Sequence, residues 1–102
     1  MSKVINALSL SRRAGKLAMG FSAAEKALRA KQAFLVVVTS DIAGGTIKKI
    51  TRLAGDTRLV GLPCSKGDIE AVMKRGFAVA AVTDMNFKEL VLKALKEDMH
   101  DN

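Results

Sequence analysis

The chain has few of the residues that catalytic and metal sites require. It contains one cysteine, Cys64, and one histidine, His100, in 102 residues. A single thiol cannot form an internal disulfide, and no Cys, His or carboxylate cluster has metal-ligand spacing. A nucleophilic Ser or Cys needs a neighbouring base, and His100 lies in a polar tail, residues 98–102, that we expect to fray. We therefore predict a cytoplasmic protein with no metal, no cofactor and no enzymatic activity.

Aromatic side chains and long apolar runs are also scarce. There is no Trp or Tyr, and there are four Phe. Phe34 and Phe87 fall in core patterns, which leaves Phe21 and Phe77 as the aromatics that could be exposed. A module that stacks successive bases on sheet aromatics is therefore disfavoured. No run approaches the ~18 apolar residues of a membrane span, and the N-terminus lacks a signal peptide's apolar block. We predict no membrane partner.

Basic side chains, in contrast, are abundant and unevenly placed. Seventeen Lys and Arg against ten Asp and Glu give a net charge of +7. Residues 1–66 hold 12 basic and 3 acidic side chains, whereas residues 67–102 hold 5 and 7. This asymmetry predicts that the first two-thirds of the chain binds a polyanion. The alternative interpretation is a charged surface that only keeps the protein in solution.

Helical patterns alternate with short apolar runs along the whole chain. The predicted strands are residues 17–19, 34–38, 58–62 and 77–82, and the longer ones read as buried on both faces. Ser22 with Glu25 predicts a capping box at the second helix, and Asn86 with Glu89 a similar pair at the last. A chain of this length has room for one domain, residues 1–102. The alternation predicts an α/β fold, a three-layer α/β/α sandwich around a small sheet.

Two features resemble parts of enzyme sites but have simpler interpretations. Asp41 and Asp84 follow apolar strands, where α/β enzymes often place catalytic carboxylates. Aspartate more often forms a turn or a cap, because it accepts hydrogen bonds from nearby backbone N–H groups. Residues 44–46, Gly-Gly-Thr, begin a helix and could bind an anion. Neither a P-loop nor a G-x-G-x-x-G fingerprint is present, so a turn with a cap is the preferred interpretation.

Several short motifs together resemble a known family. They are Arg12-Arg13-Ala14-Gly15-Lys16-Leu17, then Gly20 and Lys26, Leu35–Val38 with Asp41, Ser65-Lys66, and Ala80–Asp84. In order and spacing they resemble the kink-turn RNA-binding ribosomal proteins, most closely the small bacterial YlxQ-type members. The resemblance covers roughly residues 3–95. It implies an α/β/α sandwich with a four-stranded mixed sheet and no cofactor.

The resemblance also implies a partner and a site. Family members insert the start of the second helix into a sharply bent, structured RNA with tandem sheared G·A pairs. Ribosomal RNA is the expected target, ribosomal proteins are further partners, and the protein is expected to be a monomer. A glycine lets the backbone approach the RNA, a lysine in the helix contacts it, and a second loop closes over an extruded nucleotide. The implied RNA-binding residues are Lys16, Gly20, Phe21, Ser22, Lys26, Arg29, Lys74, Arg75, Gly76 and Phe77.

The sequence departs from the family at the start of the second helix and at Ile69-Glu70 of the fourth, where relatives often have Leu-Gly. Many relatives carry Asn-Glu where this chain has Ser22-Ala23, and those side chains read the guanines. Ser22 can still form a hydrogen bond, but the Ala23 side chain cannot. The departure supports an alternative function, a non-enzymatic adaptor that keeps the fold and binds a protein. Simpler structural roles also stand beside the RNA-binding ones: helix capping for Ser22, a solvated face for Lys26 and Arg29, and core packing for Phe77.

Overall fold

The computed structural model describes residues 2–100, apart from the side chain of His100. These residues form five helices and four strands. In chain order the elements are α1 (Lys3–Arg13), β1 (Leu17–Met19), α2 (Phe21–Arg29), β2 (Leu35–Val38), α3 (Gly44–Ala54), β3 (Leu59–Gly61), α4 (Lys66–Met73), β4 (Val79–Val82) and α5 (Met85–His100). None of the helices in residues 2–100 is long and apolar enough to cross a bilayer.

The four strands form one mixed sheet in the order β1-β4-β2-β3. Strand β4 pairs antiparallel with both β1 and β2, whereas β2 and β3 pair in parallel. A parallel pair needs a crossover connection, and α3 supplies it between β2 and β3. The two central strands, β2 and β4, are buried at every position. Their continuous apolar sequences reflect this burial, because helices cover both faces of the sheet.

The core divides into two clusters, one on each face of the sheet. Leu35 and Val37 of β2 pack in a cluster with residues of α1, α4 and α5. Val36 and Val38, which point the other way, pack in a cluster with residues of α2 and α3. This alternation places one layer of helices on each face. The predicted α/β fold, a three-layer α/β/α sandwich with a four-stranded mixed sheet, is confirmed.

Two predicted helix caps are wrong. Helix α2 begins at Phe21 after Gly20, whose φ of 98° ends the preceding strand, so Ser22 lies inside the helix and caps nothing. At α5 the capping side chain is Asp84, which accepts hydrogen bonds from the N–H groups of Asn86 and Phe87 at 2.8 and 3.1 Å. The capping-box pattern alone could not fix the first residue of either helix, because the predicted and observed starts differ by only one or two positions.

The predicted fraying from Asp98 is wrong at Asp98 itself. Helix α5 continues to His100, and the Asp98 carboxylate accepts hydrogen bonds from the backbone N–H groups of Lys3 and Val4 at 3.0 and 2.9 Å. The Ser2 hydroxyl also donates to Asp98 at 3.2 Å. These contacts join the end of α5 to the start of α1. Asp101 and Asn102 lie outside the described residues.

Candidate nucleic-acid interface

The first residues of α2 lie at one end of the sheet together with the loop that precedes β4. The Gly20 N–H donates to the Val79 carbonyl at 2.8 Å, and the Thr39 N–H donates to the Ala78 carbonyl at 3.0 Å. These bonds hold the end of β1, the end of β2 and the start of β4 side by side. We call residues 20–23, 39–41, 65–66 and 74–79 the Gly20 end of the sheet. The predicted loop, residues 74–77, is therefore at the same end as Gly20.

The backbone at the start of α2 is free to bind an acceptor. The first intrahelical bond runs from the Ala24 N–H to the Gly20 carbonyl at 3.0 Å, so the N–H groups of Phe21, Ser22 and Ala23 have no partner within the helix. No side chain of residues 2–100 caps this end. A Cβ built on Gly20 would meet no heavy atom within 4 Å, so open space adjoins the backbone here. Free N–H groups and the helix dipole together favour a bound anion.

Three polar side chains form an exposed stripe that leads away from this end. Ser22, Lys26 and Arg29 occupy positions i, i+4 and i+7, which share one helix face, and all three are exposed. Arg29 donates two hydrogen bonds to Glu25, at 3.0 and 2.8 Å, so part of its charge is neutralised locally. The Lys26 ammonium has no salt-bridge partner among residues 2–100. Lys26 is therefore the best placed cation of α2.

The side chains of the loop before β4 differ sharply in exposure. Lys74, with φ of 63°, and Arg75 are exposed. Gly76 lies against the start of α4, where an added Cβ would stand 3.0 Å from Cγ of Lys66 and 3.3 Å from its carbonyl oxygen. Phe77 is only 2% exposed and belongs to the core cluster. The core interpretation of Phe77 is confirmed, and its ring is not a surface contact.

The sequence pattern assigned the wrong exposure to Phe34. Phe77, for which the sequence left a surface and a core interpretation open, is buried, whereas Phe34, expected in the core, is 39% exposed. Phe34 comes just before β2 and lies outside the strand, whose four residues are all buried. Phe21 is half-buried and packs against the cluster under α2 and α3. Of the two predicted surface aromatics, therefore, neither offers a fully exposed ring at the Gly20 end.

Lys16 does not lie beside Gly20, although the resemblance placed both residues in one RNA-binding set. The Lys16 carbonyl accepts a hydrogen bond from the Thr83 N–H at 2.9 Å, which places it beside the last residue of β4 rather than the first. Strand β1 separates it from Gly20, a distance of about 13 Å over four extended residues. The prediction failed because a three-residue strand is long enough to carry its two flanking residues to opposite ends of the sheet.

Two residues outside the predicted set also belong to the Gly20 end. The Asp41 carboxylate accepts a hydrogen bond from the Lys66 backbone N–H at 3.1 Å. That bond is the main reason why the pKa of Asp41 lies below its ordinary value. Asp41 thus ties the loop after β2 to the start of α4, as its interpretation as a turn or cap residue implied. Its position after a buried strand was the signal, and Lys66 adds a cation that the predicted set lacked.

The remaining candidate residues have structural roles. Cys64 is buried, and burial raises the pKa of its thiol to about 11, so the nucleophilic thiolate is not populated near neutral pH. Asp84 caps α5. Within residues 2–100, no group of three or more His, Cys, Asp or Glu side chains could hold a metal ion.

Comparison with known protein families identifies the family of this chain. Residues 2–92 match the model of the Ribosomal protein L7Ae/L30e/S12e/Gadd45 family. The chain belongs to this family. The resemblance drawn from the sequence motifs is therefore confirmed, and membership identifies a non-enzymatic RNA-binding protein of ribosomal type. No curated protein sequence matches the chain.

Two solved structures share this fold. A protein of unknown function from Bacillus halodurans C superimposes with a TM-score of 0.83 at 23% identity, covering 94% of this chain and 99% of that one. The Giardia lamblia 15.5kD RNA binding protein superimposes with a TM-score of 0.73 at 15% identity, covering 93% and 83%. At these identities the likeness concerns the fold.

Proposed function

We propose that this protein binds a kink-turn or similarly bent structured RNA through the Gly20 end of the sheet. The observation that carries the proposal is the uncapped start of α2, whose free N–H groups adjoin open space beside Gly20. Ribosomal or ribosome-associated RNA in the cytoplasm is the proposed target, and the protein acts as a monomer that also contacts ribosomal proteins. The RNA-binding function that names the Giardia relative supports the same partner class.

Each element of the site has a distinct task in this proposal. The N–H groups of Phe21, Ser22 and Ala23 donate to acceptor atoms of the RNA at the bend. Lys26, one turn further along, neutralises a phosphate of an adjoining stem. Lys74 and Arg75 approach the same RNA from the loop before β4. Backbone donors and cations recognise shape and charge, which suits a surface without free aromatic rings.

The Ser22-Ala23 pair sets the expected selectivity. Ala23 offers no side-chain acceptor for a guanine, so base discrimination rests on Ser22 and on the backbone. We infer that this protein recognises the bent shape more strongly than the identity of the bases. An adaptor function would instead predict no RNA binding by this end.

A gel-shift titration tests the proposal with two RNAs of equal length. One carries tandem G·A pairs that bend it, and the other is a straight duplex. We expect tighter binding of the bent RNA, and weaker binding by Lys26→Ala, because an exposed helix position tolerates alanine without loss of fold. The matched control is Lys96→Ala, an exposed lysine of α5. Equal affinity for both RNAs, or equal losses in the two variants, would contradict the proposal.

A further inference from the structure

A second concave surface lies at the opposite end of the sheet. It encloses a pocket of about 390 Å³ lined by Gly15, Lys16, Lys31, Gln32, Phe34 and Thr83. We call these six residues the Lys16 end. Nothing in the proposed function uses them, since α2 separates them from Gly20. We propose that the Lys16 end binds a single-stranded nucleotide of the same RNA, and this inference rests on the proposed function.

The lining residues have the chemistry that a nucleotide requires. The two lysines supply ammonium groups for a phosphate, and the 39% exposed Phe34 offers an aromatic face for a base. Gln32 and Thr83 add hydrogen-bonding groups for a base edge or a ribose. No acidic side chain lines the pocket among residues 2–100. A cationic pocket with one aromatic platform is the usual arrangement for single-stranded nucleic acid.

The pocket is held in shape by backbone hydrogen bonds. The Phe34 N–H donates to the Val82 carbonyl at 2.8 Å, and the Thr83 N–H donates to the Lys16 carbonyl at 2.9 Å. The adjacent acidic residue, Asp84, uses its Oδ1 to cap α5. The backbone of the site is therefore preorganised.

Lys31 gives a second reason to assign an anionic ligand to this pocket. Its φ is 57°, in the left-handed region where glycine is favoured at the end of a helix. A lysine at this position strains the backbone more than a glycine would, yet it adds a cation to the pocket. Substitution by glycine removes the charge without straining the backbone, so a loss of binding in that variant reports the charge and not a loss of fold.

The two ends are close enough for one RNA to reach both. Helix α2 has nine residues, which span about 13 Å, and successive phosphates of one strand advance about 3.4 Å along a duplex. A strand that leaves the bend at the Gly20 end therefore arrives at the Lys16 end after roughly four nucleotides. Lys26 and Arg29 lie between the two ends.

Fluorescence anisotropy with four RNAs tests this inference. The bent RNA and the straight duplex are each prepared blunt and with a four-nucleotide single-stranded extension. We expect the extension to raise the affinity of the bent RNA about tenfold, within the range for one stacked base plus phosphate contacts. Phe34→Leu and the double variant Lys16→Ala/Lys31→Gly should each abolish this gain without altering binding of the blunt RNA. The matched control, Lys93→Ala/Lys96→Ala, should keep it.

The outcomes separate the two proposals. If the bent RNA shows no preference over the duplex, the proposed function fails, but a gain from the extension on the duplex that disappears in Phe34→Leu still supports this site. If the extension gives no gain on either RNA, or if the variants keep the gain, the nucleotide site is overturned. A variant that loses affinity for blunt and extended RNA alike would also overturn it.

Discussion

At the scale of single residues, Phe77 shows how a surface candidate can prove to be a structural support. It is buried beneath the loop that carries Lys74 and Arg75, and it packs with residues of α1, α4 and α5. Its ring therefore fixes the loop from below while the charged side chains face solvent. The aromatic residue therefore has a structural role in this loop.

We expect Phe77→Ala to lower the free energy of unfolding by about 3–5 kcal/mol, the cost of removing a fully buried phenylalanine. Urea denaturation followed by circular dichroism measures the loss. Phe34→Ala is the matched control, and its loss should be clearly smaller because 39% of that residue is already exposed. Similar losses in the two variants would show that the burial assignment is wrong.

Other single residues show what a sequence pattern can and cannot predict. The prediction that Gly20 and the loop at residues 74–77 lie at the same end of the sheet, which came from the family resemblance, agrees with the backbone hydrogen bonds there. Lys16 was misplaced because a position in the chain does not reveal which end of a three-residue strand it occupies. Phe34 was misassigned because an apolar run does not show which of its residues belong to the buried strand.

At the scale of elements, the structure links the two ends of the chain. Asp98 of α5 accepts hydrogen bonds from the first N–H groups of α1, which would otherwise have no helical partner. Burial alone would raise the pKa of Asp98, but the bonds from Val4, Lys3 and Ser2 outweigh it, so the pKa lies below its ordinary value of 3.8. The two helices thus depend on a charged carboxylate.

We expect Asp98→Asn to lower the free energy of unfolding by about 0.5–1.5 kcal/mol at neutral pH, the net contribution of one hydrogen bond, because the amide keeps only one of the two acceptor oxygens. A depressed pKa means that the charged group stabilises the fold above pH 3.8. That stabilisation disappears as the pH falls through the lower pKa of the folded state. Thermal unfolding at several pH values should therefore show the wild-type protein and the variant converging in acid.

Glu97→Gln provides the control for this clamp. Glu97 is paired with Lys3 at 3.9 Å, with both side chains about half exposed, and such surface pairs contribute little. A loss in Glu97→Gln as large as in Asp98→Asn, or a difference between wild type and Asp98→Asn that persists unchanged in acid, would contradict the role assigned to Asp98. The polar composition of residues 98–102 hid this contact, because its partners are at the other end of the chain.

At the scale of the whole molecule, both layers of helices carry part of the basic excess. Residues 21–56, which include both helices on one face of the sheet, hold six basic and three acidic side chains. On the other face, α1 adds three basic and no acidic side chains beside α4 and α5, which belong almost entirely to the net-negative segment from residue 67 onward. The sequence could predict the layers and the polyanion partner, because both follow from periodicity and composition. It could not predict which residues meet at each end of the sheet, because strand pairing determines that.

The central claim is that the start of α2 and the loop before β4 both contact the bent RNA. Backbone amide NMR of the ¹⁵N-labelled protein, titrated with the blunt bent RNA, tests it most directly. We expect the largest shift changes at Phe21, Ser22 and Ala23 and at residues 74–78, with little change at residues 88–97 of α5. Changes confined to α5, with none at the start of α2, would contradict the account.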